Sequence, residues 1–165
     1  MTTEFYKQIG SGYVPDQLAR ISKDKSILFY CCVLKPTEED PMQSEVWRKD
    51  FDHTPTVEEV KEAIEAFINE QTRQEIIKGF EYEGVRIWLS EENQITFNNT
   101  VNVPVTYKVG EDEEGKPVYR TFEKQAELTA FKRAIGDHVS RCLSAGYAKK
   151  DSVNYEKIMG IEQKA

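Results

Sequence analysis

Residues 26–34, with the sequence SILFYCCVL, decide the fold class of this chain. The segment is nearly continuous in apolar and aromatic residues, which predicts a β-strand covered on both faces. Residues 35–41 contain two prolines and three acidic residues and therefore form a loop that ends the strand. A second strand is predicted over residues 45–53, because Trp47 and Phe51 are spaced to share one face and charged residues separate them.

Two amphipathic helices are predicted to accompany these strands. Thr56 and Glu59 have the spacing of a capping box, and they open a first helix over residues 56–78. A second helix is predicted over residues 123–145, with Gly146 just beyond its end. The apolar stripe of this second helix consists of Leu128, Phe131, Ile135, Val139, Cys142 and Leu143.

Two hairpins are predicted between the helices. Residues 80–89 form the first, with Gly84 in its turn, and Ser90 then caps a short helix of one or two turns. Residues 103–109 and 118–122 form the second, around an acidic tip. The chain is therefore predicted to be α+β: an antiparallel, hairpin-built sheet covered on one face by the two long amphipathic helices.

The ends of the chain are predicted to lie outside this domain. Residues 1–25 contain Gly10, Gly12 and Pro15 among scattered apolar residues, which indicates an irregular N-terminal arm with a short helix near residues 16–21. Residues 26–150 then form a single domain, and residues 151–165 form a C-terminal tail. Both end segments are expected to become ordered mainly against neighbouring molecules.

The composition argues against several classes of protein. The 165 residues include 22 Lys and Arg against 29 Asp and Glu, a net charge of −7, so nucleic acid is not an expected partner. No apolar run approaches the roughly 20 residues that cross a bilayer, so a membrane is not expected either. Three cysteines, two of them adjacent, do not make a disulfide framework.

Few residues have the spacing of a catalytic or metal site. His138 and Cys142 lie four residues apart and share a face of the second predicted helix, as a thiol and its base would. With Cys31 or Cys32 they also supply four zinc ligands, but no C-x-x-C spacing supports such a site. Since Cys142 falls on the apolar stripe, we predict no catalytic residue, no metal and no cofactor.

Five segments carry a resemblance to a known group of proteins. In chain order they are residues 79–84 (GFEYEG), 88–94 (WLSEENQ), 103–110 (VPVTYKVG), 117–122 (PVYRTF) and 145–152 (AGYAKKDS). This order resembles an uncharacterised family of small phage and prophage proteins, a domain of unknown function with a W-L-S-x-E-N-Q element. Its members occur in gut anaerobes, in or near tail and virion structural gene clusters. The resemblance spans residues 79–152, about half the chain.

The resemblance implies a setting in a phage particle or its assembly, and it supplies no catalytic residue. After Gln94 the family continues with a Tyr- and Ala-rich run, whereas this chain has Ile95-Thr96-Phe97-Asn98-Asn99-Thr100.

The predicted function is therefore that of a non-enzymatic phage structural protein, tail- or virion-associated, which acts through protein–protein contacts. Its expected partners are other phage structural proteins, in a homo-oligomer or symmetric assembly, and its expected location is the virion. The candidate contact residues are Phe5, Tyr6, Tyr13, Tyr155 and Ile158. Two alternatives stay open: a soluble tail-fibre assembly factor absent from the mature particle, and a small enzyme that uses His138 and Cys142.

Overall fold

The computed structural model describes residues 4–161, which contain eight strands and four helices. The strands are β1 (Tyr6–Ser11), β2 (Gln17–Ser22), β3 (Lys25–Leu34), β4 (Gln43–Phe51), β5 (Phe80–Tyr82), β6 (Val85–Ile87), β7 (Val105–Glu111) and β8 (Pro117–Phe122). The helices are α1 (Val57–Lys78), α2 (Glu91–Asn99), α3 (Gln125–Asp151) and α4 (Tyr155–Met159). The predicted α+β class is confirmed.

The strands form three separate antiparallel sheets among residues 4–161. The largest has the strand order β1-β4-β3-β2, and the pairs β5-β6 and β7-β8 make two small sheets. The prediction of one sheet under two long helices is therefore not confirmed. Hairpins pair locally, but whether neighbouring hairpins join edge to edge depends on contacts that local sequence patterns do not record.

The described chain divides into two compact units instead of one domain over residues 26–150. The first unit contains the described residues up to Phe67 and those from Ser152 onward. The second unit is Ile68–Asp151. The division falls inside α1, where continuous helical periodicity gives no sign of a boundary.

The four-stranded sheet belongs to the first unit, and β3 and β4 are its inner strands. Tyr30 and Trp47 lie opposite each other in the β3–β4 register. Their ring centroids are 5.6 and 5.0 Å from that of Phe67, which α1 contributes to this unit. This packing accounts for the aromatic residues in the two strands that were predicted from the sequence.

The N-terminal segment is not an irregular arm. Residues 6–11 form β1 and residues 17–22 form β2, which are the two edge strands of the four-stranded sheet. The predicted short helix near residues 16–21 is therefore wrong. An edge strand is paired on one side only, so it tolerates polar residues and glycine that would mark a loop elsewhere.

The second unit is held together by an aliphatic and aromatic core. Hairpins β5–β6 and β7–β8 and the helices α2 and α3 all contribute to it. The Trp88 N–H donates to the Val109 carbonyl at 2.8 Å and so links the two hairpins. The buried core residues are Ile87, Leu89, Phe97, Tyr107, Val109, Phe122, Leu128, Phe131 and Ile135.

The predicted helix starts are confirmed by their hydrogen bonds. At α1 the Thr56 N–H donates to the Glu59 carboxylate at 2.7 Å, and the Glu59 N–H donates to Thr56 Oγ1 at 3.2 Å. At α2 the Asn93 N–H donates to Ser90 Oγ at 3.2 Å. The α2 helix runs to Asn99, slightly longer than the one or two turns predicted.

Helix α3 continues past the end predicted at residue 145, and Gly146 lies inside it. A Cβ atom on Gly146 would lie 2.5 Å from Thr72 Oγ1 of α1. This glycine therefore serves a close approach of two helices within the second unit rather than a helix cap. Helix-ending and helix-packing glycines cannot be distinguished from sequence spacing alone.

The C-terminal tail contains α4, which lies against β2. Asn154 caps this helix by accepting a hydrogen bond from the Lys157 N–H at 3.0 Å, and Gly160 ends it in the left-handed region. Most of the predicted tail is thus part of the first unit. Residues 162–165 of that tail, and residues 1–3 of the predicted arm, lie outside the described residues.

Candidate functional site

The first unit contains an open cleft of about 300 Å³, which we call the aromatic cleft. Its walls come from the loop between β1 and β2, from the middle of β3, and from residues 152–158. Tyrosine, proline and aliphatic side chains line it beside one serine, one asparagine, one acid and one lysine. The lining residues are Tyr13, Pro15, Asp16, Tyr30, Ser152, Val153, Asn154, Lys157 and Ile158.

A bulge in β3 holds the loop wall in place. The β3–β4 register shifts between Tyr30 and Val33, and Cys31 there has a φ of +56°. This conformation accompanies a hydrogen bond from the Cys31 N–H to Asp16 Oδ1, at 2.7 Å. The Val14 N–H also donates to Cys32 Sγ at 3.3 Å, so the loop is attached to the bulge at two points.

The opposite wall is anchored by Ile158. This side chain is only 4% exposed, and it belongs to α4, which lies against β2. With Ile158 buried, Lys157 remains exposed at the rim of the cleft. Both walls of the aromatic cleft are therefore tied to the same sheet, which makes it a preformed feature of this unit.

The tyrosines of the cleft are suited to hydrogen bonding and not to acid–base chemistry at neutral pH. Burial, together with smaller effects of the neighbouring Asp16, Cys31 and Tyr155, raises the pKa of Tyr30 to about 12. Burial also raises the pKa of Tyr155, with a smaller effect of Glu65. Both hydroxyls therefore stay protonated at neutral pH, and Tyr30 gives the cleft an aromatic surface with a hydrogen-bond donor.

The structure brings together some of the five predicted contact residues. Tyr13 and Ile158 line the aromatic cleft, and Tyr155 lies close enough to Tyr30 to affect its pKa. The Phe5 ring lies 5.0 Å from Phe67, and the Tyr6 hydroxyl donates to Asp50 at 3.3 Å.

Exposure separates these residues further. Tyr13 is 62% exposed, whereas Phe5, Tyr6 and Tyr155 are partly buried. The expectation of an exposed contact side chain is wrong for Ile158, because the tail forms a helix that turns it inward. The role of all five as contact residues stays a prediction.

Seven of the nine lining residues were not predicted, among them Asp16, Tyr30 and Lys157. Tyr30 lies in an apolar run that indicated only core, and Lys157 lies in a segment with mixed charge. The pair Pro15-Asp16 carried a weak signal, since an aspartate after proline often accepts backbone hydrogen bonds in a loop. Nothing in the sequence indicated that its partner would be the N–H of Cys31.

The second unit contains the His138–Cys142 pair. Cys142 Sγ lies 3.7 Å from His138 Nε2, so the prediction that they share a helix face is confirmed. The His138 ring stacks on Phe80, with centroids 5.2 Å apart. Burial raises the pKa of the Cys142 thiol, which lowers its thiolate fraction and opposes a role as nucleophile. Within residues 4–161 no group of three or more His, Cys, Asp or Glu could hold a metal ion.

A second cavity, of about 410 Å³, also lies in the second unit. Arg120 lines it, and the guanidinium of this residue lies 4.9 Å from the centre of the Tyr82 ring and 5.4 Å from that of Phe122. Glu83 forms an ion pair with the same guanidinium. The cation is therefore already paired, and we favour the aromatic cleft as the candidate site.

A charged cluster at the start of α1 makes the first unit sensitive to pH. His53 Nδ1 lies 2.8 Å from Asp52 Oδ1, and its Nε2 lies 2.9 Å from Glu59 Oε1. Both contacts raise the pKa of His53, and the contact with Asp52 has the larger effect. The pKa of Asp52 is lowered chiefly by His53, and that of Glu59 by the Thr56 N–H and then His53.

We expect this cluster to stabilise the protein most between the ordinary pKa of a carboxyl group, about 4, and that of histidine, about 6.5. Above the raised pKa of His53 the stabilisation is lost because the imidazole is neutral. Below the lowered carboxyl values it is lost because Asp52 and Glu59 are protonated. Replacing Glu59 by Gln keeps the capping bond and should lower the pKa of His53.

Titration of His53 by NMR measures this change, and Glu58→Gln is the matched control because Glu58 is also acidic and exposed in the same turn. An equal shift in both variants would show that general charge, and not the contact with Glu59, raises the pKa.

No protein family, curated protein or solved structure is found to match the chain. No helix within residues 4–161 has both the length and the apolar character needed to cross a bilayer.

Proposed function

We propose that this chain is a non-enzymatic structural protein of a phage tail or virion that acts through protein–protein contacts. It would be made in the cytoplasm of the host bacterium and reside in the particle, within a homo-oligomer or another symmetric assembly. The phage setting rests on the resemblance carried by residues 79–152. The contact role rests on the aromatic cleft.

The aromatic cleft supports this proposal because it combines preformed walls with an exposed aromatic side chain. Tyrosine supplies a large contact area at small entropic cost, and aromatic residues are enriched at the centres of protein interfaces. Tyr13 lines this cleft and is 62% exposed, whereas most large hydrophobic side chains of the first unit are partly or fully buried. This exposed tyrosine beside a rigid cleft is the observation on which the proposal depends.

Particle composition tests the proposal. Mass spectrometry of particles purified from the encoding strain should find the chain at a fixed ratio to the other structural proteins. Replacing Tyr13 by alanine should reduce its content in particles about tenfold, a change in binding of about 1.4 kcal/mol. The matched control is Tyr119→Ala, because Tyr119 is 64% exposed and lies in the second unit.

Two results would contradict parts of the proposal. Absence of the chain from particles would favour the assembly factor, which leaves the complex before maturation. Equal incorporation of the Tyr13 and Tyr119 variants would show that the chain is held in the particle by another surface.

A further inference from the structure

The aromatic cleft has features that select among possible partners. The proposed function requires a protein contact but leaves the nature of the bound segment open. The cleft is small, about 300 Å³, and is bounded by side chains on both walls. Its occupant must therefore be narrow, and it must be recognised mainly through aromatic faces and hydrogen bonds from side chains.

The geometry points to a short proline-rich segment of a partner protein, in the polyproline II conformation and flanked by a basic residue, as the occupant of the aromatic cleft. This inference rests on the proposed function, because it specifies the partner of the same contact surface. Three observations support it: the shape of the cleft, its hydrogen-bond donors and the position of its acid.

The shape of the cleft favours this conformation over a helix or a strand. A helix binds through apolar anchors over at least two turns and needs a longer apolar groove than these nine lining residues provide. A strand binds to a free sheet edge, whereas these walls are formed by Tyr13, Tyr30 and the α4 segment. A polyproline II segment is narrow and already ordered, so it binds a small aromatic groove with little loss of entropy.

The donors of the cleft match a partner that offers only acceptors. Proline has a carbonyl oxygen but no N–H, and the carbonyls of a polyproline II segment have no internal partners. The Lys157 side chain is exposed and lines the cleft, and its ammonium has no hydrogen bond or ion pair with another residue of the described part of the chain. Tyr30 remains protonated, so its hydroxyl is also a donor.

The acid of the cleft accounts for the flanking basic residue. Asp16 lies on the loop wall, where its Oδ1 is held by the Cys31 N–H at 2.7 Å. Its carboxylate is thereby positioned to pair with an Arg or Lys beside the proline run. The net charge of −7 of the whole chain adds a long-range attraction for a basic segment.

A peptide titration of the full chain tests the inference. The probe is a nonaproline peptide that ends in arginine, added to isotope-labelled protein and followed by NMR. Saturable shifts are expected in the Tyr13–Asp16 loop, around Tyr30, and in the segment that contains Lys157. A glycine–serine peptide of equal length that also ends in arginine should bind at least tenfold more weakly, because it is not preordered and lacks prolyl rings.

Three variants separate the contributions to binding. Tyr13→Ala and Lys157→Met should each weaken binding of the proline peptide about tenfold, through loss of an aromatic face and of a charged donor. The Asp16→Asn variant keeps an oxygen that can accept from the Cys31 N–H. The unchanged protein should bind the nonaproline peptide that ends in arginine more tightly than one that ends in glutamate, and this variant should bind the two equally. Tyr119→Ala should leave binding unchanged.

The inference is overturned if millimolar proline peptide causes no saturable shifts, or if the shifts fall outside the aromatic cleft. It is also overturned if the glycine–serine peptide binds equally well. If the chain is found in particles but the peptide does not bind, only this inference fails. If the peptide binds but particles lack the chain, the proposed function fails.

Discussion

Replacing Gly79 by alanine is expected to destabilise the second unit by about 2–5 kcal/mol, the sum of about 1–2 for a left-handed conformation and about 1–3 for overpacking. Gly79 has a φ of +70°. A Cβ atom there would lie 1.7 Å from the Ile87 carbonyl oxygen and 3.3 Å from the Leu89 nitrogen. Both clashing atoms belong to backbone, so they cannot move aside by changing a rotamer.

The backbone around Gly79 is held on both sides. The Leu89 N–H donates to the Ile77 carbonyl at 3.1 Å, which ties the strand-to-helix segment after β6 to the end of α1. The Gly79 N–H itself donates to the Ile76 carbonyl at 3.0 Å. Relief of the clash in the variant would stretch the first of these bonds and disturb the buried side chains of Ile87 and Leu89.

Gly84→Ala is the matched control for this experiment. Gly84 has a φ of +78°, but no atom lies within 4 Å of the position of its Cβ. Its replacement should therefore cost only about 1–2 kcal/mol, the penalty of the left-handed conformation. The measurement is native-state hydrogen exchange of the amides of α3, which reports the opening free energy of the second unit. Equal losses in the two variants would show that the approach to Ile87 carries no cost.

Replacing Phe131 by alanine should also cost about 3–5 kcal/mol, the usual range for a fully buried phenylalanine. Phe131 is 0% exposed and lies at the centre of the core of the second unit. Its ring centroid is 4.8 Å from that of Phe122, 5.3 Å from Phe97 and 5.4 Å from Tyr82. Alanine would remove contacts with two hairpins and α2 at once.

Phe131→Leu serves as its control, because it keeps a large apolar side chain and should cost less than about 2 kcal/mol. The same exchange experiment on α3 measures both variants. Similar losses for alanine and leucine would indicate that aromatic geometry, and not the filling of volume, holds this core. A loss below about 1 kcal/mol for alanine would mean that the core closes around the missing ring.

The features that were predicted correctly are those whose causes are local. Thr56 and Glu59 are three residues apart and bond to each other, and Ser90 bonds to Asn93. Gly84 lies in the turn of a hairpin whose strands are three residues each. Within such short spans the chain supplies both partners of every interaction, so residue type and spacing suffice.

Features whose partners are distant in the chain were missed. The edge strand β1 is ordered by pairing with β4, some forty residues further on, as in the pair Tyr6 and Arg48. The position of Gly146 indicated a helix end, whereas this glycine lies inside α3 beside Thr72 of α1. In the aromatic cleft, Tyr13 and Ile158 were predicted as exposed contact residues of the terminal segments, but Asp16 and Lys157 are lining residues only because loop and tail meet there.

The sequence by itself determined the α+β class, the start of both capped helices and the two hairpins, because propensity, capping and turn chemistry act over a few residues. Only the tertiary structure decided three features: the division into two units, the presence of both terminal segments in the first unit, and the aromatic cleft. These depend on pairing and burial between segments that are far apart in the chain. The physical reason is that an edge strand is stabilised by its neighbours in space, and its own residues carry little trace of them.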